Sequence, residues 1–325
     1  MLTLADEPHG FVCGWKGMGR IVLLLALFMV GLPAVAAQEV STFAFVERDS
    51  TLFLDVYRPA TPRADKACVV ALFGGGFFGG ERNNGYQRLV GKMLSDRGFT
   101  VVSIDYRLGL KDTVKMKEFK GIRGMQGMFQ YCIDLAVEDC AAAVAWVCAH
   151  AAELGVDTSK IVLTGSSAGA IAVLQMDWCR ANGEGVVSAL PSGWRPAAVV
   201  PYAGGIMSHG KPTWKTPPAP TMLMHGTKDK IVAYKKFPPI LSYGIYGAKK
   251  VFKQMRKQEY PCWIVRFEGI GHEVATWLPG SVDLFCAFVN QALAGRISEL
   301  DATMKDSKLV PTRWTDMTVK DLYAR

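Results

Sequence analysis

A serine between two glycines lies where the sequence predicts that a buried strand meets a helix. The apolar or β-branched run Ile161–Thr164 leads into Gly165-Ser-Ser-Ala-Gly169, and a helix-forming run begins at Ala170. A sharp turn between strand and helix would place Ser167 at its apex, and the small residues at its two ends let the strand and the helix approach closely. Such a serine is typical of a nucleophile in acyl transfer, although the five-residue motif alone also occurs by chance.

A histidine is needed near this serine, because a free hydroxyl is a poor nucleophile at neutral pH. Four of the five histidines are poorly placed: His9 in the N-terminal segment, His150 at a helix end, His209 in a proline-containing segment and His225 inside a strand end. His272 follows the last predicted strand on a loop and completes the order Ser…Asp…His. We therefore predict that His272 is the base, and that activity rises with pH over about pH 6–8.

An acidic residue should orient that base. The acidic residues between the serine and the histidine are Asp177, Glu184, Asp229, Glu259 and Glu268. Asp177 belongs to the helix after the serine, Glu259 precedes a strand, and Glu268 is too near His272 along the chain to reach its far ring nitrogen easily. Asp229 follows a buried strand by a few residues, so we predict that it orients the base, with Glu268 as the alternative.

Three consecutive glycines follow another buried strand, Ala67–Phe73. Glycine lets a backbone approach a ligand closely, and the lack of a following Lys-Ser/Thr pair or a G-x-G-x-x-G pattern argues against phosphate binding. We predict that the N–H groups of Gly75 and Gly76, together with that of Ala168 at the start of a helix, form an oxyanion hole.

Alternating strands and helices must position these groups. Val40–Val46 and Thr51–Tyr57 predict an antiparallel pair at a sheet edge. Further strands are predicted at 67–73, 99–104, 161–164, 197–203, 221–226 and 262–267, with helices at 86–97, 131–154, 170–176, 248–258 and 281–293. This order is typical of an α/β fold with one doubly wound, mostly parallel sheet and helices on both faces. Sites in such sheets form at the carboxyl ends of the strands.

Two irregular segments could cover the site. Leu108–Gln130 mixes glycine, methionine and lysine without a clean period, and Gly204–Pro220 is rich in proline. Long loops are often functional, so either segment is a candidate cap, with an ordinary solvent-exposed loop as the alternative for the first.

The N-terminal segment predicts export. Lys16 and Arg20 precede the apolar run Ile21–Leu32, and small residues follow up to Ala37. This pattern is typical of a signal peptide, and the apolar run is short for a membrane span of about 20 residues. We therefore predict an exported protein, periplasmic or secreted, without stable membrane insertion after cleavage; an uncleaved anchor is the alternative.

The sequence predicts three parts. They are a signal peptide at residues 1–37, one catalytic domain at residues 38–297 and a polar tail at residues 298–325. Met18 opens a more usual signal sequence than Met1 does, so we also predict Met18 as the true start.

Charge and cysteine usage limit the other function classes. The formal net charge is +8, but the basic residues are scattered and form no stripe with aromatic residues, so no nucleic-acid partner is predicted. Without Cys13, seven of the eight cysteines stay in the mature chain. Buried free thiols are predicted for most of them, with one disulfide as the alternative. No CxxC pair occurs, and we predict no metal and no cofactor.

Five motifs together resemble the α/β-hydrolase fold over most of residues 40–295. They are Phe73-Gly-Gly-Gly-Phe77, Asp105-Tyr-Arg-Leu108, Gly165–Gly169, His225-Gly-Thr-Lys-Asp229 and Gly271-His272. Within that fold the chain is similar to the carboxylesterase and hormone-sensitive-lipase-like branch. Phe73 stands where this branch usually has a histidine, and the usual N-terminal cap sequence is not evident.

The resemblance implies a role for each motif residue. Ser167 would be the nucleophile, His272 the base and then the acid, and Asp229 its orienter. Gly75, Gly76 and Ala168 would form the oxyanion hole, and Asp105 and Arg107 would be structural.

We therefore predict a serine esterase acting on carboxylic esters, either small molecules or esters linked to polysaccharide. Acetyl or feruloyl groups of plant polysaccharide are the substrates that export suggests. The alternatives are a lipase or a peptidase of the same fold, or a non-catalytic binding protein with this fold. The sequence predicts no oligomeric state.

Overall fold

A nine-stranded sheet lies at the centre of the computed structural model, which describes residues 40–323. The strands are β1 Val40–Glu47, β2 Thr51–Tyr57, β3 Cys68–Leu72, β4 Thr100–Ile104, β5 Ile161–Ser166, β6 Ala198–Tyr202, β7 Gly205–His209, β8 Thr221–Gly226, β9 Lys236–Phe237, β10 Tyr243–Gly247, β11 Cys262–Phe267 and β12 Leu300–Met304. The helices are α1 Gly85–Ser95, α2 Thr113–Met116, α3 Gly121–Ala149, α4 Ala151–Leu154, α5 Ala168–Asn182, α6 Ala248–Lys257, α7 Val282–Leu293, α8 Arg313–Asp316 and α9 Val319–Tyr323.

The strand order confirms the predicted doubly wound sheet. The order is β1-β2-β4-β3-β5-β6-β8-β11-β12. The β1–β2 pair is antiparallel, as predicted for this edge, and so is the β2–β4 pair. All the other pairs in the sheet are parallel. The carboxyl ends of β3, β5, β8 and β11 therefore point in one direction, which brings the four turns that follow them to one edge of the sheet.

Helices cover both faces of the sheet. Along β3, Val70 and Leu72 pack into the cluster that contains the buried side chains of α3, α5 and α6, whereas Val69 and Ala71 pack with those of α1 and α7. Each central strand is thus buried on both faces, which explains why these strands appear in the sequence as continuous apolar runs rather than alternating ones.

Helix α3 begins much earlier than predicted. The structure shows it from Gly121, so the prediction of an irregular loop over Leu108–Gln130 is wrong for the second half of that segment. A Cβ atom at Gly124 would lie 2.6 Å from the backbone carbonyl carbon of Phe119, and one at Gly127 would lie 3.2 Å from the ring of Phe119. Glycine weakens the helical signal in the sequence, but here it allows the chain to pack closely against the start of the helix.

The segment predicted as a polar tail, residues 298–325, belongs to the fold as far as residue 323. Strand β12 extends the sheet by pairing in parallel with β11, and Leu309 is buried in the apolar cluster beside α7. The prediction of a separate tail is therefore corrected. Strand β12 is an edge strand without a fully buried residue, so it lacks the hydrophobic pattern that identifies the central strands.

A second, smaller sheet forms from strands β7, β10 and β9. Strand β7 lies in the segment Gly204–Pro220, which was predicted as a candidate cap, and it pairs antiparallel with β10.

The seven cysteines of the described region are all free thiols, five of them buried. This agrees with the prediction of mainly buried thiols.

The predicted signal peptide, residues 1–37, and the predicted start at Met18 lie outside the described residues. Between residues 40 and 323, the structure contains no helix with the length and apolarity that a membrane span requires.

Candidate active site

Ser167 lies at the sharp turn between β5 and α5, as predicted. Its backbone has φ 50° and ψ −113°, a strained conformation for a residue other than glycine. The Ser167 N–H donates to the carbonyl oxygen of Tyr202 at 2.9 Å, which fixes the turn against β6. A Cβ atom at Gly169 would lie 2.5 Å from the carbonyl oxygens of Leu72 and Phe73. The close contact between the helix and β3 therefore requires glycine at this position.

The structure brings together the serine, the histidine and the aspartate selected from the sequence. His272 Nε2 lies 2.8 Å from Ser167 Oγ, and His272 Nδ1 lies 2.7 Å from Asp229 Oδ2. These distances suit a neutral imidazole that donates from Nδ1 to the carboxylate and accepts at Nε2 from the serine hydroxyl. Glu268, the alternative acid, is exposed on the loop before His272.

The carboxylate of Asp229 is buried and fully hydrogen-bonded. Its Oδ1 accepts from the backbone N–H groups of Ile231 at 2.9 Å and Val232 at 3.0 Å. Burial acts to raise the pKa of Asp229, but attraction to His272 and hydrogen bonds from His272 and His225 outweigh it and hold this pKa well below its usual range. Asp229 is therefore ionised at neutral pH and can stabilise a positive charge on His272.

His225 supports Asp229 from the other side. It is completely buried, its Nε2 lies 2.8 Å from the carbonyl oxygen of Val232, and the same nitrogen lies 3.4 Å from Asp229 Oδ2. The sequence places His225 inside a strand end, where it was set aside as the base. In the structure its hydrogen-bond partners belong to the loop that carries Asp229.

The glycine loop after β3 approaches Ser167 closely. A Cβ atom at Gly74 would lie 3.2 Å from Ser167 Cβ. Gly75 has φ 140°, and a side chain there would overlap the Gly79 carbonyl. Phe73 is buried with its ring 4.3 Å from that of Tyr106, centroid to centroid. The Tyr106 hydroxyl donates to the Phe73 carbonyl oxygen at 2.8 Å, so an aromatic pair holds the start of this loop.

Two backbone N–H groups of the glycine loop, those of Gly75 and Gly76, have no protein acceptor among residues 40–323. Ala168 is the first residue of α5, where a helix has no internal acceptor for the N–H. Gly76, Ser167 and Ala168 line one cavity, and Gly75 lines a neighbouring cleft that Gly76 and Ser167 also border. The three residues predicted for the oxyanion hole therefore each border at least one of the two spaces that Ser167 borders.

Asp105 and Arg107 take part in ion pairs. Asp105 Oδ2 lies 2.6 Å from the Arg82 guanidinium, and the Arg107 guanidinium lies 2.9 Å from the fully buried Asp139 of α3. These contacts connect the loop after β4 to neighbouring elements, which agrees with the structural role that the resemblance implies.

Glu273, which the sequence analysis did not consider, holds a distant segment against the site. Its Oε1 accepts from the hydroxyls of Thr312 and Thr315, each at 2.8 Å, and from the Thr312 N–H at 2.7 Å. Its Oε2 accepts from the Gly271 N–H at 2.9 Å. Its place directly after the predicted base was a signal that it lies near the site, but the local sequence does not reveal its partners.

The segment held by Glu273 reaches the glycine loop. We call residues Leu309–Tyr323 the C-terminal segment. The hydroxyl of Tyr323 donates to the carbonyl oxygen of Gly76 at 2.8 Å, and a backbone bridge joins Thr318 to Lys230, the residue after Asp229. No sequence pattern pointed to these contacts.

Two cavities meet at Ser167. The inner cavity has a volume of about 30 Å³ and mostly apolar walls, which include Phe77, Ile171, Val232 and Tyr323. The outer cleft has a volume of about 410 Å³, and it is lined by Asn84, Tyr86, His272, Thr276 and Trp314 among others. Gly76, Ser167 and Leu322 border both cavities.

One of the two segments predicted as candidate caps lines the inner cavity. Phe129, from the segment 108–130, contributes to its wall, whereas the segment 204–220 contributes only indirectly, through Ile245 of β10, which pairs with its strand β7. The C-terminal segment, which was not predicted as a cap, contributes Val319, Leu322 and Tyr323.

No group of three or more His, Cys, Asp or Glu side chains within residues 40–323 is arranged to hold a metal ion.

Comparison with known proteins gives a family match over part of the chain. Residues 33–178 match the model of the Carboxylesterase family. The chain is 31% identical over 105 residues to Lipase 2 of Moraxella sp. (strain TA144), covering 32% of this chain and 20% of that protein. It is 29% identical over 133 residues to Esterase E4 of Myzus persicae, covering 39% of this chain and 22% of that protein. These alignments thus span about a fifth of each relative's length.

Solved structures match over most of the chain. The propionate-bound structure of Thermogutta terrifontis esterase 2 has a TM-score of 0.57 and 22% identity, covering 82% of this chain and 97% of that chain. The paraoxon-phosphorylated form has a TM-score of 0.56 and 22% identity, covering 80% of this chain and 95% of that one. These structures confirm the predicted α/β-hydrolase fold.

Proposed function

We propose that this chain of α/β-hydrolase fold, related over residues 33–178 to the carboxylesterase family, is an exported serine esterase that uses Ser167, His272 and Asp229 as a catalytic triad. The observation that carries the proposal is the continuous chain of short contacts from Ser167 Oγ through His272 to Asp229, 2.8 Å and 2.7 Å long. Such a chain provides a nucleophile, a base and an orienting carboxylate in the order that acyl transfer needs.

In the first half-reaction, Ser167 Oγ attacks the ester carbonyl carbon while His272 Nε2 takes the hydroxyl proton. The imidazolium that forms is stabilised by the ionised Asp229, which accepts from Nδ1. The carbonyl oxygen becomes an oxyanion that accepts hydrogen bonds from the N–H groups of Gly75, Gly76 and Ala168. His272 then protonates the alcohol oxygen, the alcohol leaves, and an acyl ester on Ser167 remains.

In the second half-reaction, water takes the place of the alcohol. His272 removes a proton from the water, the resulting hydroxide attacks the acyl carbon, and the same N–H groups stabilise the second oxyanion. The collapse of this intermediate returns the proton from His272 to Ser167 Oγ and releases the carboxylic acid.

The site of action that we propose is outside the cytoplasm, because residues 1–37 have the sequence pattern of a signal peptide. Esters on plant polysaccharide, such as acetyl groups, are then substrates that the enzyme would meet. Fractionation of cells expressing the full chain, and of cells expressing residues 38–325, tests export. The proposal requires that the first protein reach the periplasm or the medium and the second stay in the cytoplasm.

Serine labelling and hydrolysis test the chemistry. The full chain should hydrolyse p-nitrophenyl acetate and react with a fluorophosphonate probe, and Ser167→Ala should lose both properties, with kcat lower by about 10⁵-fold. Ser192→Ala, at an exposed loop position, is the matched control and should keep both. Equal rates for the wild-type chain and Ser167→Ala would remove Ser167 as the nucleophile. A wild-type chain that neither hydrolyses the ester nor reacts with the probe would favour a non-catalytic binding protein.

A further inference from the structure

We propose that the inner cavity binds the acyl group of the ester, that the outer cleft binds its alcohol, and that Val319, Leu322 and Tyr323 limit the acyl group to about four carbons. This inference rests on the proposed function and deepens it, because it names the substrate class as esters of short-chain acids on a bulky alcohol. The C-terminal segment is then the part of the chain that selects the substrate.

The position of His272 gives the direction of binding. The alcohol oxygen has to receive its proton from His272 Nε2 when the first intermediate collapses. His272 lines the outer cleft and does not line the inner cavity, whereas Ser167 borders both. An ester attacked by Ser167 therefore points its alcohol into the outer cleft, and its acyl chain extends to the opposite side, into the inner cavity.

The volume of the inner cavity gives the acyl size. The inner cavity is small, about 30 Å³, since even a single water needs about 10–15 Å³ of occupied space, so only a few carbon atoms have room in it. That is the room required by the carbon atoms beyond the carbonyl in an acetyl, propionyl or butyryl group. A feruloyl group, with its aromatic ring, does not fit. The outer cleft of about 410 Å³ has room for a sugar unit as the alcohol.

The C-terminal segment separates the two spaces. Leu322 borders both of them, and Val319 and Tyr323 complete the inner wall. Tyr323 is fixed by its hydrogen bond to the Gly76 carbonyl oxygen, and burial raises the pKa of its hydroxyl well above the usual tyrosine range, so the hydroxyl stays protonated as the donor. The wall is therefore attached to the loop that would bind the oxyanion.

The test varies the acyl group while the alcohol stays constant. The full chain, Leu322→Ala and the control Val310→Ala are compared on p-nitrophenyl acetate, butyrate and octanoate. Val310 is 56% exposed and lies in the same segment outside the cavity walls. The wild-type chain and the control should lose at least about tenfold in kcat/KM from butyrate to octanoate, because extra methylenes do not fit. In Leu322→Ala, the fold loss in kcat/KM from butyrate to octanoate should be about tenfold smaller than in the wild-type chain.

A second variant and a second substrate pair keep the test decisive. Val319→Ala removes a different part of the wall and serves where Leu322→Ala does not fold, as judged by circular dichroism. p-Nitrophenyl ferulate and p-nitrophenyl acetate compare the two acyl classes on one alcohol, and the inference requires hydrolysis of the acetate without hydrolysis of the ferulate. Hydrolysis with the same chain-length dependence in all variants, or cleavage of p-nitrophenyl ferulate as fast as of the acetate, overturns this inference alone. Absence of hydrolysis and of fluorophosphonate labelling in the wild-type chain overturns the proposed function as well.

Discussion

Two different regions of the molecule meet at Ser167. The turns after β5, β8 and β11 carry Ser167, Asp229 and His272. Helix α9 contributes Leu322 and Tyr323, which approach the same serine. The first group is positioned by the sheet, since hydrogen bonds between parallel strands align the ends from which the turns start. The second group is positioned by side-chain contacts, chiefly those of Glu273 with Thr312 and Thr315 and that of Tyr323 with Gly76.

This difference separates the reaction from its specificity. The turns at the strand ends carry the groups proposed to move protons and stabilise charge, so changes there should affect every ester alike. The C-terminal segment carries no group of that kind, and changes there should alter which ester fits. The following predictions test whether the two regions can be separated in this way.

After Ser167→Ala, the largest effect is expected from Asp229→Asn. Loss of the carboxylate removes the charge opposite His272 and favours the wrong imidazole tautomer, so kcat should fall by about 10⁴-fold for p-nitrophenyl acetate and butyrate alike. Steady-state kinetics on both esters measures this. Glu268→Gln is the control, because Glu268 was the alternative acid and is exposed in the structure. If Glu268→Gln were the more damaging change, the assignment of Asp229 would be wrong.

The same substitution should change the dependence of stability on pH. His272 and His225 hold the pKa of Asp229 well below its usual range, so ionised Asp229 stabilises the fold above about pH 4, the ordinary pKa of an aspartate in an unfolded chain. This contribution is lost as the pH falls from there toward the folded-state pKa.

The free energy of unfolding should therefore differ most between the wild-type chain and Asp229→Asn above about pH 4, and this difference should shrink as the pH falls further. Urea unfolding at pH 3, 4, 5 and 7 measures the difference. A difference in the free energy of unfolding that stays constant from pH 3 to pH 7 would mean that Asp229 has an ordinary pKa in the folded protein.

The two regions also differ in how well the sequence predicts them. The residues of the proposed triad and the glycine loop could be predicted because each lies within a few residues of the end of a continuous apolar run, where a buried strand must end. The walls of the inner cavity could not, because Phe129, Val232, Ile245 and Leu322 come from four distant parts of the chain. Their meeting depends on tertiary packing that no local pattern encodes. The early start of α3 was missed for a related reason, since glycines conceal a helix that packing stabilises.

The smallest effect is expected from Glu273→Gln, which tests how the C-terminal segment is held. The amide of glutamine has one oxygen, so it cannot accept both from the threonine hydroxyls and from the Gly271 N–H, and the charge that strengthens these bonds is lost. We expect the free energy of unfolding to fall by about 2 kcal/mol. Backbone hydrogen exchange in residues 309–323 should accelerate, because this positioning residue anchors the segment.

The kinetic profile then decides whether Glu273 acts on the reaction or on the wall. Once the segment is loosened, the fold loss in kcat/KM from butyrate to octanoate should become smaller. This change should be larger, as a fold change, than the change in the rate of acetate hydrolysis. The control is Glu299→Gln, whose half-exposed carboxylate pairs with Arg256 at 3.7 Å and whose removal should change stability by less than about 0.5 kcal/mol. If Glu273→Gln slowed the hydrolysis of all esters equally and left hydrogen exchange in the C-terminal segment unchanged, Glu273 would act on the reaction and not on the cavity wall. Its effect would then reach the reaction through His272.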